Sequence, residues 1–118
     1  MPEPPLEDDC IVVRGGLMGV LTLRQSLETC RARMGFQGLS FWGENGMTVK
    51  EICLQARMRN LRIRVSSVGR LRALGHEPYR SGAAPHLTVR FRVAPSDQDL
   101  WRLARAFDPD IPNPRLRD

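Results

Sequence analysis

Cys10-Ile11-Val12-Val13 is a short apolar run that stops on Arg14-Gly15-Gly16, and no other stretch restricts the fold as much. Four residues are too few for a helix, and the β-branched trio Ile11, Val12 and Val13 suits a strand covered on both faces. Such a strand delivers a single cation, Arg14, to a tight turn. Gly15 and Gly16 tolerate backbone angles that a Cβ forbids, so another part of the chain or a ligand can approach closely beside Arg14. The plain alternative is an ordinary strand end with a solvated arginine.

The period of the apolar residues sets the elements that follow. Leu23, Leu27, Cys30 and Met34 recur at helical spacing up to Gly35, with Thr22 and Gln25 in the pattern of a capping box. Phe36 to Trp42 reads as a strand, with Leu39 and Phe41 on one side and Ser40 and Trp42 on the other. Thr48 and Glu51 repeat the capping signal ahead of a second helix carrying Val49, Ile52, Cys53 and Ala56. The period then drops to two, and Leu61, Ile63 and Val65 alternate with Arg62, Arg64 and Ser66.

Ser67 is placed to cap a short third helix through Leu71 and Leu74, closed by Gly75. Pro78 confines residues 76–81 to a sheet edge. After a turn at Gly82 to Pro85, Leu87, Val89, Phe91 and Val93 alternate with Thr88, Arg90 and Arg92. Ser96 and Asp99 open a last helix with Leu100, Leu103 and Phe107 on its apolar stripe. The expected fold is therefore a single α+β (or α/β) domain with a mixed sheet of about five strands and three to four helices. Helix-containing connections favour some parallel pairs within it. The expected boundaries are an acidic, proline-rich arm at 1–9, the domain at 10–107 and an extended tail at 108–118.

A chain of 118 residues is large enough for one self-sufficient core. No apolar run approaches the roughly 20 residues that cross a bilayer, so no membrane segment is expected. The acidic start is unlike a secretory signal, and Cys10, Cys30 and Cys53 form no ligand-spaced pair, so we read a cytoplasmic protein with reduced thiols and no metal site. The formal net charge is +5, and within residues 10–107 sixteen Arg or Lys face only six Asp or Glu. All but Lys50 of these cations are arginine, whose planar fork suits phosphate or carboxylate.

The alternation places Arg62 and Arg64, and Arg90 and Arg92, opposite the apolar sides of their strands. If the two strands share a sheet, all four face the same way as a polyanion-binding patch, which Glu3, Glu7, Asp8 and Asp9 of the arm would neutralise. The polar groups at strand ends and on strand faces include Arg14, Ser40, Ser66, Ser67, Tyr79 and His86. Ser40 and His86 lack the G-x-S-x-G setting of a hydrolase triad, and Gly15-Gly16 lacks the pattern of a phosphate loop.

The series Val13-Arg14-Gly15-Gly16, Gly38-Leu39-Ser40-Phe41, Arg64-Val65-Ser66-Ser67-Val68-Gly69-Arg70-Leu71, Pro85-His86-Leu87-Thr88-Val89 and Pro112-Asn113-Pro114 resembles small stand-alone actinobacterial proteins associated with toxin–antitoxin pairs. More loosely, an arginine closing the first strand and a serine on the second is similar to ADP-ribosyltransferase-like toxins. That resemblance implies NAD as cofactor, with Arg14 on its phosphates or ribose and Ser40 bracing the nicotinamide pocket. The residues themselves add Gly15 and Gly16, whose N–H groups can meet an anion beside Arg14, and His86, which with Arg14 and Ser40 would form the catalytic set. The toxin–antitoxin association implies an acidic partner such as an antitoxin. Those toxins carry a glutamate on a late strand, whereas His86 to Val93 contains no acid, and Glu77, Asp97 or Asp99 would have to substitute. Three classes of function are thus open: an NAD- or nucleotide-directed toxin-like enzyme, a basic nucleic-acid-binding module, and an interaction protein for an acidic partner.

Overall fold

Ile11–Gly15 forms the expected strand, β1, and it lies inside a six-stranded sheet. The structure is a computed structural model that describes residues 3–116, and the outer ends of the expected arm and tail lie outside the described residues. In chain order the other elements are α1 (Val20–Met34), β2 (Gln37–Trp42), α2 (Val49–Gln55), β3 (Arg62–Ser67) and α3 (Val68–Ala73). They continue with β4 (Tyr79–Arg80), β5 (His86–Phe91), α4 (Asp97–Arg105), β6 (Ile111–Pro112) and a 3-10 turn at Pro114–Leu116. This is an α+β domain with four helices. No helix among the described residues is long and apolar enough to cross a membrane.

The sheet order is β4-β5-β2-β1-β3-β6, and every pairing is antiparallel. The parallel pairs expected from the helical connections are absent. A helix between two strands serves a parallel crossover only if it carries the chain back to the end where the first strand began. Here α1 leaves and returns at one end of the sheet, so β2 runs opposite to its neighbour β1.

Register assigns every strand residue to a face. Val12, Leu39, Phe41, Leu87 and Val89 join Leu23, Leu27, Leu100, Leu103 and Phe107 in one core under α1 and α4. On the opposite face Val13 and Ile63 meet Ile52, Cys53 and Met58 of α2 and the segment after it. Since β1 feeds both cores, its apolar run is continuous rather than alternating. The second core covers β1 and β3, and the same face of β2, β5 and β4 carries Ser40, Trp42, Thr88, His86 and Tyr79.

Local signals behaved unequally. Thr48 with Glu51 and Ser96 with Asp99 form complete capping boxes, Ser67 accepts the Arg70 N–H, and Gly35 ends α1 at a φ of 80°. Thr22 and Gln25 do not form their box, because α1 begins at Val20 behind Gly19, which offers no side-chain cap. Met34 and Leu61, expected on apolar faces, are exposed at the ends of their elements.

The tail is not merely extended. Ile111–Pro112 adds β6 to the free edge of β3, and Asn113, only 1% exposed, donates from Nδ2 to the carbonyls of Met58 and Asn60. The arm is docked as well. Leu6 enters the first core, the Gly69 N–H donates to the Asp8 carbonyl, Arg72 pairs with Asp8, and Arg80 pairs with Glu3 and with both oxygens of Glu44. Of its acids, Asp8 and Glu3 therefore meet Arg72 and Arg80 and not the four strand arginines expected to hold them.

Two outcomes test this packing. Asn113→Ala takes the Nδ2 donor from the carbonyls of Met58, which keeps Arg115 Nη1, and of Asn60; it should cost about 1–3 kcal/mol in urea unfolding, whereas a dispensable tail would show no change. The Glu44 carboxyl is held below its ordinary value of 4.5, chiefly by the Arg80 hydrogen bond. Its folded value being depressed, its stabilisation is complete above 4.5 and fades as pH falls through the lower folded value. Glu44→Gln should flatten the stability curve in that acid window, and an unaltered curve would show that the pair contributes nothing.

Candidate functional site

Antiparallel neighbours β1 and β2 pair at Val13↔Trp42 alone, while β1 follows β3 from Ile11↔Ser67 to Gly15↔Ile63. Beyond Val13 the first two strands part, and Arg14 occupies the opening. By alternation its side chain leaves β1 on the α1 side, with its guanidinium 5.6 Å from the Phe41 ring. There Nη1 donates to the Ser40 carbonyl at 2.7 Å and Nη2 to the Ser26 hydroxyl of α1 at 3.0 Å. A side chain thus bridges two strands where ladder bonds are missing.

Arg14 is 8% exposed, and its Nε is buried with no hydrogen-bond partner. Burial pushes its pKa down, and no carboxylate offsets that effect. An arginine so placed normally faces an acid, since removing a cation from water is costly without a counter-charge. Among the described residues none stands beside it.

Arg14 lines a cleft of about 740 Å³. Its walls are α1 residues including Ser26, Thr29 and Arg33, the open face of β2, β5 and β4, and Asn60 from the segment before β3. Ser40 and His86, the other two residues expected to act with Arg14, line the same cleft. They reach it from the opposite face of the sheet, so the opening between β1 and β2 is what brings the three together. Ser40 and His86 share no hydrogen bond. His86 Nδ1 instead lies 2.9 Å from both the carbonyl and the hydroxyl of Ser81, whose Oγ is 2.6 Å from Thr88 Oγ1. A carbonyl only accepts, so Nδ1 carries the proton and Nε2 is the basic nitrogen of the neutral ring. The ring packs edge-on to Trp42, with centroids 5.4 Å apart.

The glycines divide. Gly15 lines the cleft, and a Cβ there would stand 2.2 Å from Asn60 Oδ1, so close approach is its role. Gly16 has a φ of 79°, but its N–H donates to the Arg62 carbonyl and is not free to receive an anion. Trp42, Asn60, Phe36, Ser81 and Thr88 are cleft residues that the sequence reading did not single out as functional. Trp42 and Thr88 had a signal, the one its shared side with Ser40 and the other its place on the polar side of the late strand.

None of the lining residues is Asp or Glu. Glu77 pairs with Arg72, Asp97 with Arg24, and Asp99 caps α4, so the three acids considered as substitutes for the toxins' glutamate are engaged elsewhere. The strand arginines also separate. Arg64 is the register partner of Arg14 and Arg90 that of Gly38, which puts Arg62 and Arg64 on the α1 side and Arg90 on the other. The single four-arginine patch expected from alternation is not formed, because Ile63 and Val65 of β3 face the core under α2, whereas Leu87 and Val89 of β5 face the core under α1 and α4.

Arg14→Met keeps the bulk, removes the uncompensated charge and gives up two hydrogen bonds, opposing effects of similar size. Folding stability in urea should change by less than about 1 kcal/mol. A loss above about 3 kcal/mol would make Arg14 a structural strut instead. In comparisons with known proteins, no family model, curated protein or solved structure matches this chain.

Proposed function

We propose that the Arg14 cleft binds NAD or a related phosphorylated nucleotide, in a toxin-like protein of a bacterial toxin–antitoxin pair. The observation that carries this reading is the buried Arg14 guanidinium, which has no acid beside it and stands in the wall of an acid-free cleft. A ligand phosphate supplies the missing charge, and an arginine fork holds it with charge-assisted hydrogen bonds. Trp42, Tyr79 and His86 offer aromatic surface for a base, and Ser40 and Thr88 offer hydroxyls for a ribose or amide. The volume lies in the range of small-molecule sites. The toxin context is supported by the sequence resemblance, and the free cysteines Cys10, Cys30 and Cys53 are in keeping with action in the cytoplasm.

The reading concerns binding first. ADP-ribosyl transfer in the resembled toxins draws on a glutamate, and the cleft lining contains none. His86 Nε2 is the group here able to accept a proton.

Thermal unfolding with NAD, AMP or inorganic phosphate tests the proposal. At a hundredfold excess over Kd, NAD should raise Tm by on the order of 10 °C. Arg14→Met should abolish the shift while leaving the unliganded Tm nearly unchanged. Equal shifts for parent and Arg14→Met, or no shift with any of the three, would overturn it. Expression of the chain alone should arrest growth, and Arg14→Met should relieve the arrest.

A further inference from the structure

A second groove of about 640 Å³ meets the cleft at Phe36, a residue common to both linings. It is walled by Arg31 and Gly35 at the end of α1, by Gln37, and by Arg90, Phe91 and Arg92 at the end of β5. Like the cleft, it contains no acidic residue. The Arg90 guanidinium lies over the Phe36 ring at 4.5 Å, and Gly38 leaves room for that ring, since a Cβ there would stand 2.9 Å from it. Among the described residues, Arg31, Arg33, Arg90 and Arg92 form no ion pair, as is also true of several arginines elsewhere. Asp8 and Glu3 of the arm are already paired, with Arg72 and Arg80. Arg14 and Arg33 of the cleft and Arg31, Arg90 and Arg92 of the groove thus lie to either side of the Phe36 ring, with no acid in either lining.

Resting on the reading of the Arg14 cleft as a nucleotide site, we infer that the ligand is a single-stranded nucleic acid, one nucleotide seated in the cleft and the following strand crossing Phe36 onto Arg31, Arg90 and Arg92. Cations that follow a backbone, alternating with rings on which bases stack, are the recurrent construction of single-strand sites. From Thr88 beside the cleft to Arg92 is four residues, about 13 Å at the rise of a strand. That length spans about four stacked nucleotides. A free dinucleotide would not reach it all. An acidic protein segment is the less favoured occupant, because carboxylates have no flat face to stack on Trp42, Tyr79 and His86 as bases do.

The test uses the full chain and fluorescence anisotropy with a labelled 12-nucleotide oligo(dT), with AMP and NAD measured in parallel. A triple variant Arg31→Gln, Arg90→Gln, Arg92→Gln changes exposed side chains alone. It should weaken oligo(dT) binding at least tenfold and reduce the salt slope by about two, at roughly 0.7 per phosphate contact on a single strand. AMP and NAD binding should stay unchanged. Oligo(dT) binding that equals AMP binding, or that the triple variant retains, overturns the inference and leaves the nucleotide reading standing. Loss of AMP, NAD and oligo(dT) binding in the parent chain overturns both. Tighter binding of a 12-base-pair duplex, or equal competition by polyglutamate, overturns the single-strand assignment.

Discussion

The Arg14 guanidinium joins β1 and β2 where their pairing ends, and the shape of the cleft depends on that link. A strand normally satisfies its carbonyls from its neighbour's N–H groups, and the cost of leaving them bare in the interior keeps sheets continuous. Here the Ser40 carbonyl takes its hydrogen bond from Arg14 Nη1, so β1 and β2 can separate after Val13↔Trp42. The gap becomes a cleft rather than a fault in the sheet. A lysine would reach one acceptor, whereas the planar fork of arginine takes Ser40 on one arm and Ser26 on the other, tying β2 and α1 to the same point.

Two cores of unequal extent explain why the cleft lies where it does. The larger one, under α1 and α4, spans the sheet from β5 to β1, and Phe41 stacks on Phe107 within it. The smaller one under α2 reaches only β1, β3 and the edge of Trp42. Among the described residues no helix covers the rest of that face, and the residues there are ones that tolerate water: Ser40, Thr88, His86, Tyr79 and Gly38. A half-covered sheet is the usual condition of antiparallel structure, and its bare half is where polar and aromatic side chains converge. The cleft and the limit of the smaller core therefore share a boundary, drawn along the line between β1 and β2.

What could be read beforehand was local. The capping boxes at Thr48 and Ser96, the left-handed stop at Gly35 and the edge position forced by Pro78 rest on neighbours within four residues, and the structure contains them. The gathering of Arg14, Ser40 and His86 was legible because each sits at a strand end or on a polar strand face. Strand direction was not legible, since α1 has the same sequence whichever way it returns the chain. The partners of the arm escaped too: Asp8 and Glu3 had many arginines to choose from, and only the packing of Leu6 brings them to Arg72 and Arg80. Asn113 looks like any loop asparagine until Met58 and Asn60 are placed beside it.

The order β4-β5-β2-β1-β3-β6 has a consequence for how the chain comes into being. Strand β2 must wait for β5, whose pairing runs from Gln37↔Phe91 to Trp42↔His86, and β3 must wait for β6 near the end of the chain. The larger core is closed by Leu100, Leu103 and Phe107. During synthesis, Val12, Leu39 and Phe41 therefore emerge long before the side chains that cover them. Long-range closure of this kind is slow and leaves strand edges bare on the ribosome. The nascent chain thus carries a transient need for shielding that the finished domain no longer shows.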